Sequence, residues 1–209
     1  MVSQPAASLP SDPSFAVVAP VARVGPNAIV QTGAALIALE GLATAQAVFE
    51  RAGLADALIA PPAAMVAQTD AAKLHRAVTA TLSDDRARAV AWEAGLRTGS
   101  YILAHRIPKP IKLLLAVMPA RLAGRALVSN IERHAWTFAG SGRVTARAGD
   151  PAVIEIKDNP LATPDCPWHA AVFTRLFQTL VSTRASVRST ACCARGDPAC
   201  RFDIRLSRP

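Results

Sequence analysis

An α+β fold is predicted for this 209-residue chain by three observations. Apolar residues recur at helical spacing through the first two-thirds of the sequence. After Gly140-Ser141-Gly142 the period switches from 3.6 to 2. Aromatic residues make up only 5% and the apolar content is largely Ala, Leu and Val, which favours a helix-rich fold over a β-sandwich. With 51% hydrophobic and 18% charged residues the chain can bury a core without staples, and general disorder is excluded. The length suits one domain.

The elements follow in order. Residues 1–26 carry Pro5, Pro10, Pro13, Pro20 and Pro26 and read as a proline-rich mobile tail, leaving 27–209 as a single domain. From Thr32 to Ala60 the pattern predicts one or two short helices broken around Gly41 and Gly53 and closed by Pro61-Pro62. Thr69 is the expected N-cap of a helix reaching Leu82, and Ser83-Asp84-Asp85 caps the next. That next helix, Asp84 to His105, places Trp92, Leu96, Gly99 and Leu103 on one face and Arg86, Glu93 and Arg97 on another. Pro108 and Pro110 open a short helix that Pro119 ends, and a further helix runs from Ala120 through Trp136.

The segments GRVTARAGD and AVIEIKD then read as a hairpin turning at Gly149-Asp150-Pro151. Cys166 to Ser182 returns to a helix. The segments RASVRSTAC and CRFDIRLS form a second hairpin around Gly196-Asp197-Pro198. In its last strand Cys200, Phe202, Ile204 and Leu206 point one way and Arg201, Asp203 and Arg205 the other. Two hairpins make a small four-stranded antiparallel sheet with helices packed on one face.

The formal charge of +8 is unevenly placed. Residues 1–66 hold two basic side chains against four acids, whereas residues 67–209 hold 21 against 11. The basic residues stand singly among apolar ones, without a Lys/Arg run or an aromatic-studded basic strand. They suit an anionic small molecule, a membrane surface or an acidic partner, and no nucleic acid is expected. No basic residue precedes Arg23, so a secretory leader is not expected. The longest uncharged stretch, Val24 to Leu39, is 16 residues and contains Pro26, Asn27 and Gln31, too short and too polar to span a bilayer. A cytoplasmic protein is expected, and its four cysteines then read as thiols or metal ligands rather than disulfides.

The cysteines are the most informative chemistry. Cys192 and Cys200 stand eight positions apart across a tight turn, and Cys166 and His169 are three apart at a helix start. Three cysteines and a histidine complete a tetrahedral zinc site; the alternative is that the cysteines are small packed hydrophobes.

The C-x3-G-D-P-x-C-x-F stretch from Cys192 to Phe202, with Cys166 upstream, resembles the 4-vinyl-reductase domain family. That family includes aromatic-sensing domains of bacterial transcription activators and shares a ligand-binding fold with Bet-type transport-particle subunits. Residues 95–101 (GLRTGSY), 105–108 (HRIP), 136–142 (WTFAGSG) and 166–169 (CPWH) resemble its bacteriochlorophyll-biosynthesis members, traditionally named 4-vinyl reductases. The similarity runs from about Gly33 to Leu206. In zinc-containing relatives the ligands are three cysteines and an acidic residue three positions before the second cysteine. Cys166, Cys192 and Cys200 match the thiols, but the acidic position falls on Ser189, leaving His169, a water or an incomplete site as alternatives. Cys193 has no counterpart in the pattern.

The resemblance implies a divinyl (proto)chlorophyllide-type tetrapyrrole as ligand. Reducing its vinyl group requires a hydride and a proton from a nicotinamide, flavin or iron-sulfur source. The sequence shows no NAD(P) or flavin motif: Gly140-Ser141-Gly142 lies between a helix and a strand, not after a strand. The cysteines do not match a ferredoxin run. The leading expectation is a protein that binds the tetrapyrrole and assists its reduction or delivery. Its partners would be pigment-pathway enzymes of the reductase or Mg-chelatase type, with peripheral contact to the photosynthetic membrane or homodimerisation as further expectations. The alternatives are a catalytic vinyl reductase and a small-ligand sensor.

A tetrapyrrole calls for an apolar slot, cations for its carboxylate and an axial base for its metal. Trp92, Leu96, Tyr101 and Trp136, with Leu103 and Phe138, are the candidates for the slot. Arg97, Arg106 and Lys109 are candidates for the carboxylate, and His105 and His134 for the metal. Each has an ordinary reading as core or solvated surface. No residue is singled out as catalytic. Gly95 and Gly99, four apart on one helix, favour close helix packing over a ligand lying on bare backbone.

Overall fold

In the computed structural model, residues 21–206 are described. The expectation of a mobile tail at residues 1–20 lies outside them. The expected tail boundary at residue 26 falls inside ordered structure, because Arg23–Val24 (β1) pairs antiparallel with Val66–Ala67 (β2) and Val24 is fully buried.

The helical part begins with α1 (Asn27–Glu40), α2 (Leu42–Arg51) and α3 (Ala55–Ile59). Gly41 separates the first two with a φ of 83°, a left-handed conformation that glycine adopts without penalty. Helix α4 (Gln68–Thr81) starts one residue earlier than expected, and its cap position is Ala67 rather than Thr69, because β2 runs directly into the helix. Helix α5 (Asp84–His105) has the predicted bounds. Its buried stripe is Ala87, Val90, Ala94, Gly95, Thr98, Gly99 and Leu103. Trp92 and Leu96 are rotated out of that stripe, so the inward face expected for them is corrected.

Helices α6 (Lys109–Val117) and α7 (Ala120–Arg133) flank Pro119 as expected. The chain breaks at His134 and Ala135 before a single further turn, α8 (Trp136–Ala139), where one continuous helix was expected. The strands are β3 (Arg143–Arg147) and β4 (Ala152–Lys157), then helix α9 (Pro167–Leu180), then β5 (Ser186–Ala191) and β6 (Ala199–Arg205). The sheet order is β3-β4-β6-β5, antiparallel throughout.

Pairing of β4 with β6 joins the two hairpins. Ala152, Ile154 and Ile156 oppose Ile204, Phe202 and Cys200 on one face, all buried. The other face carries Glu155, Lys157, Arg201 and Asp203, with Arg201 paired to both Glu155 and Asp203 at 2.9 Å. This alternation is the two-residue period read from the sequence. Helix α9 covers the apolar face with Phe173, Phe177 and Leu180, and is itself backed by α5. A Cβ on Gly95 would stand 2.6 Å from the Cβ of Ala171, and one on Gly99 would stand 2.7 Å from the Cβ of Arg175. The two glycines are therefore the α5–α9 contact itself, with no room there for a ligand.

Candidate metal centre and ligand surfaces

Three thiols converge where the two hairpins and α9 meet. Cys166 precedes the first residue of α9, Cys192 ends the strand leading out of β5, and Cys200 lies in β6. The Sγ of Cys166 is 3.4 Å from that of Cys192 and 3.3 Å from that of Cys200. The motif residues between Cys192 and Cys200 explain the convergence. Gly196 takes a φ of 91° to close the turn. A carboxylate oxygen of Asp197 accepts the backbone N–H of Cys192 at 2.7 Å, and the N–H of Cys193 donates to the Sγ of Cys200 at 3.4 Å. Asp165 and Cys166 both have positive φ, an uncommon backbone for these residues. Asp165 is held there by Arg88 of α5 and Arg195 of the turn.

The electrostatics favour a thiophilic cation. Cys166 donates to the other two sulfurs, which raises its own pKa, and burial adds to the rise. The hydrogen bond from Cys166 lowers Cys200 to about 5 and Cys192 to about 7, in each case against the opposing effect of burial. Tetrahedral zinc with thiolates at its usual bond length separates its sulfurs by about 3.8 Å, so the three thiols need to spread only slightly to fit such an ion. Among the described residues no fourth His, Cys, Asp or Glu joins the cluster.

Ser189, at the position where relatives carry an acid, lies on β5 opposite Phe202 and bonds the Ala191 carbonyl oxygen. His169, named as a substitute, is corrected: it belongs to a separate ring cluster. Its Nε2 lies 3.3 Å from the Phe138 carbonyl oxygen, and its ring packs against Trp168, Phe173 and Phe202. Helical spacing placed Cys166 and His169 on one face, but the left-handed Cys166 sits outside the helix and turns its thiol away. Cys193 is half-buried at the rim, with its Sγ 3.8 Å from the Ile156 carbonyl oxygen.

Asn159 is the residue that spacing did not reveal. It is buried; its Oδ1 accepts the Leu161 N–H, which orients its Nδ2 to donate to Cys200 at 3.4 Å and toward Cys166 at 3.9 Å. It is an outer-shell donor to the sulfurs. Its only signal in the sequence is a polar residue shortly after a strand.

The expected tetrapyrrole contacts are spread over the surface. Leu96 and Arg97 border a shallow depression of about 370 Å³ with Gln31, Glu93, Ser100 and Arg175. Arg97 pairs with Glu93 at 2.7 Å, and Arg175 donates to the Ser100 hydroxyl at 3.0 Å. Tyr101 and His105 stack at 4.6 Å near the end of α5, with the Arg106 guanidinium 6.0 Å from the Tyr101 ring. His134 is exposed and bonded to the Asn130 carbonyl oxygen. Trp92 and Trp136 are exposed, Leu103 is core, and Phe138 packs edge-on against Phe173. A second cavity, about 280 Å³, has Thr32, His75, Arg88, Thr163 and Asp165 in its walls and adjoins the Cys166 loop. That volume is at the low end for small-molecule sites.

Comparison with known proteins agrees with the motif. Residues 153–206 match the vinyl-4-reductase (V-4-R) domain. The bacteriochlorophyll synthase 23 kDa chain of Cereibacter sphaeroides is 44% identical over 188 residues, covering 87% of this chain and 90% of the relative. The protein of the same name from Rhodobacter capsulatus is 39% identical over 186 residues, covering 86% and 85%. A solved structure from a study of heme distortion in the H-NOX family shares the fold, with a TM-score of 0.52 at 10% identity over 89% of this chain and 96% of that one. The thiol geometry, the domain match around it and identity across nearly the whole chain together place this protein in the vinyl-4-reductase-domain family of the bacteriochlorophyll synthase 23 kDa chains.

Proposed function

We propose that this chain serves bacteriochlorophyll biosynthesis as an accessory protein. It binds a divinyl (proto)chlorophyllide-type tetrapyrrole and assists its reduction or its delivery to a pathway enzyme of the reductase or Mg-chelatase type. Membership of the 23 kDa chain family supports the pathway. One observation supports the accessory role over the catalytic one: Cys166, Cys192 and Cys200 are at most 1% exposed. Thiols sealed in this way tie chain segments together and do not face a substrate the size of a tetrapyrrole.

A zinc ion on these three sulfurs is part of the same reading. When bound, it cross-links the loop before α9 to both ends of the β5–β6 turn, with Asn159 steadying the sulfurs. For the pigment, Leu96 supplies an apolar edge, and Arg97 and Arg175 are the cations nearest it. Exposed Trp92 and the Tyr101–His105–Arg106 group extend that surface along α5. No helix among the described residues is long and apolar enough to cross a membrane.

Titration of the purified chain with Mg-divinyl protochlorophyllide is the test. Binding appears as a shifted absorption band and quenched fluorescence, and Arg97→Ala with Arg175→Ala weakens it on the order of tenfold. Absence of any spectral change overturns the pigment reading. Conversion of the divinyl to the monovinyl pigment by the protein alone, supplied with NADPH or reduced ferredoxin, overturns the accessory role.

A further inference from the structure

Helix α6 is amphipathic in the wrong sense for a surface helix of a protein in water. At 100° per residue, Pro110, Ile111, Leu113, Leu114 and Val117 share an arc of about 160°. That arc faces solvent: Ile111, Leu113, Leu114 and Val117 are all exposed, with Leu113 at 69% and Val117 at 73%, and only Leu115 is buried. The polar side turns inward instead. The Nζ of Lys112 donates to the Leu103 carbonyl oxygen at 2.9 Å near the end of α5. Leu122, early in α7, is also exposed and extends the apolar side chains past Pro119.

Charge around this face has one sign. Residues 94–131 contain six Lys or Arg side chains and no Asp or Glu. Arg106, Lys109, Arg121 and Arg125 are exposed in the segments bearing and flanking α6, and none of them forms an ion pair among the described residues.

We propose that α6 and the start of α7 form a peripheral docking surface for an anionic lipid bilayer. The four apolar side chains of α6 enter the boundary between headgroups and acyl chains, and the four cations meet lipid phosphates. Short apolar insertion and basic attraction are each weak alone, and together they hold a protein reversibly at a charged membrane. The charge decides between occupants: a contact with a second copy would bring two sets of unpaired cations together, whereas an anionic bilayer neutralises them. This surface is independent of the pigment reading, since it uses none of the residues in the depression beside Leu96.

The test is co-sedimentation of the full chain with vesicles of phosphatidylcholine alone and of phosphatidylcholine mixed with phosphatidylglycerol. The chain is expected to sediment with the mixed vesicles, less so as salt is raised, and poorly with phosphatidylcholine alone. Leu113→Gln with Val117→Gln lowers the partition on the order of tenfold or more, and Arg121→Glu with Arg125→Glu does the same. These side chains project into solvent, so each variant keeps the circular dichroism of the parent chain. Absence of binding to mixed vesicles, or unchanged binding by both double variants, overturns the proposal. So does a dimer in sedimentation velocity that Leu113→Gln with Val117→Gln dissociates while vesicle binding is absent, because the face then belongs to a second copy.

Discussion

Cys200 receives hydrogen bonds from the Cys166 thiol, the Cys193 amide and the Asn159 side chain, and these hold its pKa down to about 5. Cys193, its near neighbour in space, is half-buried, and burial raises its pKa. The two cysteines differ because β6 turns Cys200 into the core, where it opposes Ile156, while Cys193 begins the single 3-10 turn that follows β5. Cys200→Ser is therefore expected to abolish zinc in elemental analysis of freshly purified protein and to lower stability by roughly 2–3 kcal/mol. Cys193→Ser should keep the metal and cost less than about 1 kcal/mol. Equal zinc content in the parent chain and Cys200→Ser, at any level, would contradict the assignment.

Among the elements, the α5–α9 pair decides where everything else stands, since α9 carries Cys166 at one end and covers the sheet. Its closeness depends on Gly95 and Gly99, which meet different neighbours. A methyl group on Gly95 meets the α9 backbone at Trp168 and the Cβ of Ala171, whereas one on Gly99 meets mainly the Arg175 side chain, which can move. Alanine gains about 1 kcal/mol in helix propensity at either position, and overpacking costs about 1–3 kcal/mol. Gly95→Ala should thus destabilise the fold clearly, while Gly99→Ala should be near neutral. The midpoints of urea unfolding for the two variants check the order.

Across the whole molecule, a chain of rings connects the helical layer to the sheet. His75 of α4 lies 5.6 Å from Trp168, Trp168 lies 4.9 Å from His169, and His169 lies 6.0 Å from Phe202 of β6. Both histidines are buried, and burial lowers His75 to about 4 and His169 to about 3. In the unfolded chain each titrates near 6.5, so below that pH the unfolded state binds more protons than the folded one. The stability due to the neutral rings is complete above pH 6.5 and is lost as pH falls toward 4 for His75 and 3 for His169. The loss approaches about 1.4 kcal/mol per pH unit for each ring. Thermal unfolding between neutral pH and about pH 5 should show this decline. His169→Phe should flatten it, because the Nδ1 of His169 has no hydrogen-bond partner to lose. His105→Gln, at an exposed ring, should leave the slope as it was.

Local chemistry by itself determined the helix breaks at Gly41 and Gly53, the bounds of α5, both hairpins, the inward face of β6 and the three cysteines that meet. Each follows from short-range preferences: glycine at positive φ, prolines at helix ends, a two-residue alternation, and a motif whose Gly196 and Asp197 build the turn it needs. Only the tertiary structure decided the rest. It paired β4 with β6, turned Trp92 and Leu96 out of the α5 stripe in favour of Ala94, Gly95 and Thr98, sent His169 to the aromatic core and brought Asn159 to the sulfurs. It also laid the apolar face of α6 against solvent. The physical reason is common to all of these: a periodic pattern states that a face is apolar, but what that face meets depends on contacts between residues far apart in the chain, and local propensity carries no record of them.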